Sequence, residues 1–112
     1  MTTAGVDVTV NDGHVRITVA GEVDLANAAT VEDQIVAAIT NQATGVAADL
    51  GGVDYMDSAG MRILFSLASR LAGLQIALEV VVPVGSPARR LVEVSGLASL
   101  VALLPPMDRA AG

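Results

Sequence analysis

Apolar and polar residues alternate with period two over residues 6–10, Val-Asp-Val-Thr-Val, and again at Val15, Ile17 and Val19. Asn11-Asp12-Gly13 between the runs supplies residues that tolerate left-handed backbone, so the chain is predicted to open with a β-hairpin. His14 sits at the mouth of that hairpin, where a lone histidine is most simply a solvated side chain. After Gly21 a short extended segment, Glu22-Val23-Asp24-Leu25, leads into a helix of about 15 residues. Its apolar stripe is Val31, Ile35 and Ile39 with Val36 beside them, and Glu32, Asp33 and Gln34 lie opposite. Asn41 to Gly45 ends it. Val46–Leu50 then reads as a short buried strand stopped by Gly51-Gly52.

The clearest periodicity follows. Met61, Leu64, Phe65, Ala68, Leu71 and Ala72 repeat at i, i+3, i+4 and i+7, which predicts an amphipathic helix. Asp57 or Ser58 is its expected cap, and Gly73 its expected left-handed stop. The nearly continuous apolar run Gln75–Val82 suits a strand covered on both faces. Ser86-Pro87 opens a third helix to Ser95 as N-cap and first-turn proline, with Gly96 closing it. Leu100–Leu104 is a last short strand. Pro105-Pro106 ends regular structure, and Met107–Gly112 is expected to fray. Strands that alternate with helices in this way predict an α/β fold, a mixed β-sheet with helices mainly on one face.

Composition narrows the chemistry. The chain has 112 residues, a net charge of −6 and 53 % apolar residues, so it suits one ordered domain with a modest core. It contains no Cys, which excludes disulfides, thiolate metal sites and cysteine nucleophiles. All six of its basic residues are Arg, so lysine Schiff-base chemistry and the P-loop lysine are excluded as well. One His cannot build a multi-histidine metal site. Few cations and two aromatics, Tyr55 and Phe65, make it a poor direct binder of nucleic acid. The start, MTTAGVDVTV, lacks the pattern of a signal peptide, and the late run Val80–Val84 is broken by Pro83. No membrane association and a cytoplasmic location are therefore expected.

The candidate site is Asp54-Tyr55-Met56-Asp57-Ser58-Ala59-Gly60, joining the buried strand to the strong helix. Such a crossover delivers its loop to the carboxyl edge of the sheet, where α/β proteins place their sites. Ser58 would lie in the first helical turn, where backbone N–H groups and the dipole favour an anion, so a phosphate on Ser58 would be tolerated. The plainer reading, that Asp57 and Ser58 only cap a helix, stands beside this one.

Val53 to Met61, with Asp57-Ser58-Ala59-Gly60 at its centre, resembles the signature loop of STAS domains, specifically anti-sigma factor antagonists. Gly21-Glu22-Val23-Asp24-Leu25-Ala26 is similar to that family's approach to its first helix. Ser86-Pro87-Ala88-Arg89-Arg90-Leu91 with Ser95-Gly96-Leu97 is similar to its third. These blocks are in order across roughly residues 6–104, so the resemblance implies one STAS domain over 1–112 with 105–112 as a tail. The family usually adds a helix after the last strand, and Pro105-Pro106 with six further residues implies that this helix is shortened or absent.

The resemblance implies a partner switch that frees a sigma factor when the antagonist binds its anti-sigma factor. That partner is commonly a serine kinase of the histidine-kinase-like ATPase fold. It phosphorylates the loop serine, here Ser58, and a serine phosphatase restores binding. Asp57, Ala59 and Gly60 would shape the loop, Gly60 by letting the kinase approach the backbone. Asp24 would lie on the neighbouring loop of the partner surface, or cap the first helix. Arg89 and Arg90 could meet an acidic partner, though two Arg on a short helix are commonly a solvated face. No cofactor is implied. A second function is a ligand-sensing STAS module that binds a nucleotide or small anion at the same helix terminus without a kinase. A third, an enzyme gathering Asp24, Asp49, Asp54 and Asp57 around Mg²⁺, lacks an evident base or activated nucleophile.

Overall fold

The computed structural model describes residues 4–104. Within them lie β1 (Ala4–Asn11), β2 (His14–Val23), α1 (Ala28–Ala38), β3 (Gly45–Met56), α2 (Ser58–Gly73), β4 (Ala77–Val81), α3 (Pro87–Ser95), a 3₁₀ turn (Leu97–Ser99) and β5 (Ala102–Leu104). The strands form one sheet in the order β1-β2-β3-β4-β5. The β1–β2 hairpin is antiparallel and every later pairing is parallel. Each helix crosses between neighbouring parallel strands in the same direction. Right-handed crossovers then put all three helices on one face of the sheet.

That face holds the core. Val15, Ile17 and Val19 of β2 pair beside Val46, Ala48 and Leu50 of β3, and Val31, Ile35, Ile63, Leu64, Leu67 and Leu71 cover them. Residues of opposite parity form the other face, where Arg16 pairs with Asp49 across the β2–β3 boundary. Mixed mean patterning therefore resolves into one apolar and one partly polar face, as period-two side chains require.

Several elements depart from the sequence prediction. The extended segment at Glu22 is the end of β2 rather than a separate strand, and α1 spans 11 residues and stops at Ala38. β3 does not stop at Gly51-Gly52 but runs to Met56. Its pairing with β2 shifts register between Thr18 and Ala20 and again between Gly21 and Glu22, with β3 carrying the extra residue each time. These are β-bulges, which break the alternation that sequence reading relies on. Burial in β3 accordingly runs Val46, Ala48, Leu50 and then Val53, Met56. At the first bulge the Asp49 carboxylate accepts the Gly51 N–H at 2.8 Å.

Gly73 is the last residue of α2, not its left-handed stop. Gln75 takes that conformation at φ 59°, and the Ile76 N–H reaches back to the Leu71 carbonyl at 2.9 Å. α3 matches expectation in detail, with Ser86 Oγ accepting the Arg89 N–H and Gly96 left-handed at φ 87°. The two final strands are shorter than predicted, and the residues before β5 form the 3₁₀ turn. The expected fraying of Met107–Gly112 and the shortened or absent C-terminal helix fall outside the described residues.

Candidate functional site

The two bulges carry the end of β3 past its pairing with β4, which finishes at Asp49–Val81, and keep it beside β2 as far as Val23–Met56. Both strands end there together, and the Asp57 N–H donates to the Val23 carbonyl at 3.2 Å. Asp24 and Asp57 are thus the first residues beyond two paired strand ends. The loop Val82–Ser86 after β4 is set back along the sheet and takes no part in this edge.

Asp57 is the N-cap of α2. Its Oδ1 accepts the N–H groups of Ala59 at 2.9 Å and Gly60 at 3.2 Å. Ser58 is the first helical residue; it is exposed, and its hydroxyl makes no hydrogen bond among the described residues. The two readings of Asp57-Ser58 therefore separate onto two residues. Asp57 caps, and Ser58 is presented to solvent.

Gly60 points the other way. A Cβ there would stand 2.5 Å from Met56 Cγ and 3.1 Å from Val23 Cγ1. The missing side chain accommodates the protein's own strand ends, and Gly60 is buried rather than offered to a kinase. Ala59 is half-buried between them.

Asp24 is half-buried and organises the turn ahead of α1 without being the helix N-cap, which is Asn27. Asp24 Oδ1 accepts the Ala26 N–H at 3.0 Å, and its carbonyl accepts the Ala28 N–H at 2.8 Å. Asn27 locks the turn from the other side: its Nδ2 donates to the Glu22 carbonyl and its Oδ1 accepts the Asp24 N–H. This network holds Leu25 out in solvent, 81 % exposed.

Between α1 and α2, next to Ser58, runs an open groove of about 350 Å³ whose walls include Leu25, Ala28, Glu32, Ala59 and Arg62. Leu25, Glu32 and Arg62 line this groove, and sequence reading did not single them out for it. The available signals were an apolar residue inside a polar turn and an arginine four residues beyond Ser58.

The structure does not gather the four carboxylates proposed for Mg²⁺. Asp49 is engaged by Arg16 on the sheet face and Asp57 by the helix N–H groups. Among the described residues no three His, Cys, Asp or Glu side chains are placed to share an ion. Arg89 is not a free surface cation either. It donates to the Val82 carbonyl at 3.1 Å and to Glu93 at 3.0 Å, tying α3 to the end of β4, while Arg90 is exposed. No helix among the described residues is long and apolar enough to cross a membrane.

Comparison with known proteins agrees with this geometry. Residues 5–110 match the STAS domain family. The anti-sigma-F factor antagonist RsfB of Mycobacterium tuberculosis is 32 % identical over 94 residues, covering 82 % of this chain and 75 % of RsfB. A crystal structure of an anti-sigma factor antagonist from Mycobacterium paratuberculosis superposes with a TM-score of 0.84 at 27 % identity, covering 97 % of this chain and 92 % of that one. The Bacillus cell fate determinant SpoIIAA in its phosphorylated form shares the fold, with a TM-score of 0.70 at 21 % identity and 96 % coverage of each chain. These relatives are anti-sigma factor antagonists by name. The paired ends of β2 and β3, the capped start of α2 and these matches together show that the chain belongs to the STAS domain family, among relatives that are anti-sigma factor antagonists.

Proposed function

We propose that this chain is an anti-sigma factor antagonist that binds its partner through the edge formed by Asp24, Asp57, Ser58 and Ala59, with Gly60 setting the loop from beneath. Binding releases a sigma factor in a partner-switching cycle. The partner is a serine kinase of the histidine-kinase-like ATPase fold that phosphorylates Ser58, and a serine phosphatase reverses the modification. The observation that carries this reading is the division of labour at the start of α2: Asp57 is consumed by capping while the adjacent Ser58 hydroxyl is exposed and unengaged. RsfB and the Mycobacterium paratuberculosis protein support the antagonist role, and the phosphorylated SpoIIAA supports a fold that tolerates the modified state. A cytoplasmic location follows from this role.

Phosphate on Ser58 adds roughly two negative charges at a helix N-terminus, a locally favourable place. Arg62 lies four residues on, the spacing and order in which an acid and a base attract within a helix. The fold is therefore retained. The interface is not, because the dianion must be desolvated beside Asp57 and near Asp24. Leaving it poorly paired costs about 2–5 kcal/mol, roughly 30- to several-thousand-fold in affinity. The ligand-sensing alternative is weaker, because an anion seated at this terminus finds the Ala59 and Gly60 N–H groups already taken by Asp57.

The test compares partner affinity and melting temperature for unmodified protein, phosphorylated protein, Ser58→Ala and Ser58→Glu. Ser58→Ala should keep fold and binding, the phosphorylated form should keep the fold and lose binding, and Ser58→Glu should fall between. Phosphate located by mass spectrometry on another residue, or equal affinity after phosphorylation, would remove Ser58 as the switch. Tight one-to-one binding of a nucleotide by unmodified protein would favour the sensor instead.

A further inference from the structure

β1 is an edge strand whose outer side pairs with nothing among the described residues. It is eight residues long and carries none of the usual protections of a bare edge: no Lys, no Arg, no Pro, and a single charge at Asp7. Val8 is 39 % and Val10 62 % exposed on its helix-side face. The turn that follows fixes which backbone groups face outward. Asp12 and Gly13 both have positive φ, 52° and 82°, the type I′ two-residue loop in which the flanking pair, Asn11–His14, is the hydrogen-bonded one. Pairing alternates along the strand, so Asp7, Thr9 and Asn11 bond inward to β2. The N–H and C=O groups of Val6, Val8 and Val10 point away from the sheet.

From this we infer that the outer edge of β1 is a self-association surface on which a second copy of the chain pairs its own β1 antiparallel, with Val8 opposite Val8. This register satisfies Val6, Val8 and Val10 at once, since Val6 then faces Val10 of the second copy. It also sets Asp7 opposite Thr9. Centring on Asp7 would oppose two carboxylates, which is destabilising. Centring on Thr9 would leave Val6 facing the turn. The sequence Val6-Asp7-Val8-Thr9-Val10 is thus self-complementary in one register, in apolar pattern, backbone pairing and charge. The two-fold axis runs perpendicular to the sheet, so helices of both copies share one face and the exposed Val8 side chains meet. Ser58 of each copy lies at an opposite end of the joined sheet, so both switch surfaces stay open. The inference does not depend on the proposed function. One strand pair buries little area and both copies carry −6, so the dimer is weak and strengthens with added salt.

Sedimentation equilibrium on the full chain over a wide concentration range tests it. The mass should rise from 11.3 kDa towards twice that value. Thr9→Lys places two cations opposite the two Asp7 carboxylates and should tighten association by roughly 2- to 30-fold. Thr9→Asp should weaken it by a similar factor, although beside Arg16, its partner in β2, the new acid is favourable within the monomer. Matching substitutions at exposed Gln34, to Lys and to Asp, control for net charge and should change association much less. The chain has no Cys, so mixing Asp7→Cys with Thr9→Cys protein reads the register directly, and the mixed disulfide should outrun both homodimers. A monomer at every concentration, the same response at Thr9 and Gln34, or random disulfide pairing would each overturn the inference.

Discussion

Gly60 and Gly73 stand near opposite ends of the same helix, and the same substitution should have opposite effects at the two. At Gly60 a new Cβ lies 2.5 Å from Met56 Cγ and 3.1 Å from Val23 Cγ1, where ordinary contact begins at 3.4 Å. The Met56 side chain must retreat by about 1 Å, and it is only 9 % exposed, with the core packed around it. Overpacking of this kind costs about 1–3 kcal/mol. Replacing a helical glycine by alanine returns up to about 1 kcal/mol in backbone entropy. The net loss for Gly60→Ala is therefore about 1–2 kcal/mol, a fall of roughly 5–10 °C in melting temperature for a domain of this size. At Gly73 nothing lies within 4 Å of the new Cβ, so Gly73→Ala should stabilise by about 0.4–1 kcal/mol. Urea unfolding with calorimetry measures both. A cycle with Met56→Ala isolates the contact: removing Met56 should relieve most of the Gly60→Ala penalty, a coupling of about 0.5–3 kcal/mol. If Gly60→Ala raised stability as Gly73→Ala does, or if the cycle were additive, close packing would not be the reason for glycine at position 60.

Three further outcomes follow from the same contacts. Asp57→Ala removes the acceptor of two helix N–H groups and should cost about 0.5–2 kcal/mol, with Asp57→Asn recovering most of it by thermal melting. Arg89→Ala should cost about 1–2 kcal/mol through the lost bond to the Val82 carbonyl, whereas Arg90→Ala on the exposed side should stay within about 0.5 kcal/mol. Arg16→Ala breaks the pair with Asp49, but the Arg16 side chain is 45 % exposed. The loss should be at most about 1 kcal/mol and should shrink further in high salt, as unfolding at two ionic strengths would show.

The sequence was readable wherever one local signal decided the outcome. Ser86-Pro87 and Gly96 fix both ends of α3, because a side-chain cap, a proline and a left-handed residue are settled within four or five positions. Alternation with a two-residue turn fixes the hairpin, and the stripe through Leu64, Ala68 and Leu71 fixes α2. The cap at Asp57 and the helix start it precedes were equally legible, and with them the family.

What stayed hidden depends on partners distant in sequence. Gly51-Gly52 reads locally as a stop, but β2 supplies pairing partners for both bulges, and hydrogen bonds to a neighbour override the low strand propensity of glycine. Those bulges set Met56 beside Val23, and only that juxtaposition shows why position 60 is glycine: the reason lies in atoms of two strand ends rather than in its own φ or in a visitor's approach. Gln75 takes the left-handed place expected of Gly73 because the Leu71 carbonyl rewards a turn ending two residues later. By itself the sequence determined the order of the helices among the described residues, the hairpin, the capped start of α2 and the residue chemistries the chain lacks. The tertiary structure alone decided strand length, the side each loop residue faces, and which strand edge is left bare. Those properties depend on register between segments, and register is set by pairing and burial across the sheet, which no local window contains.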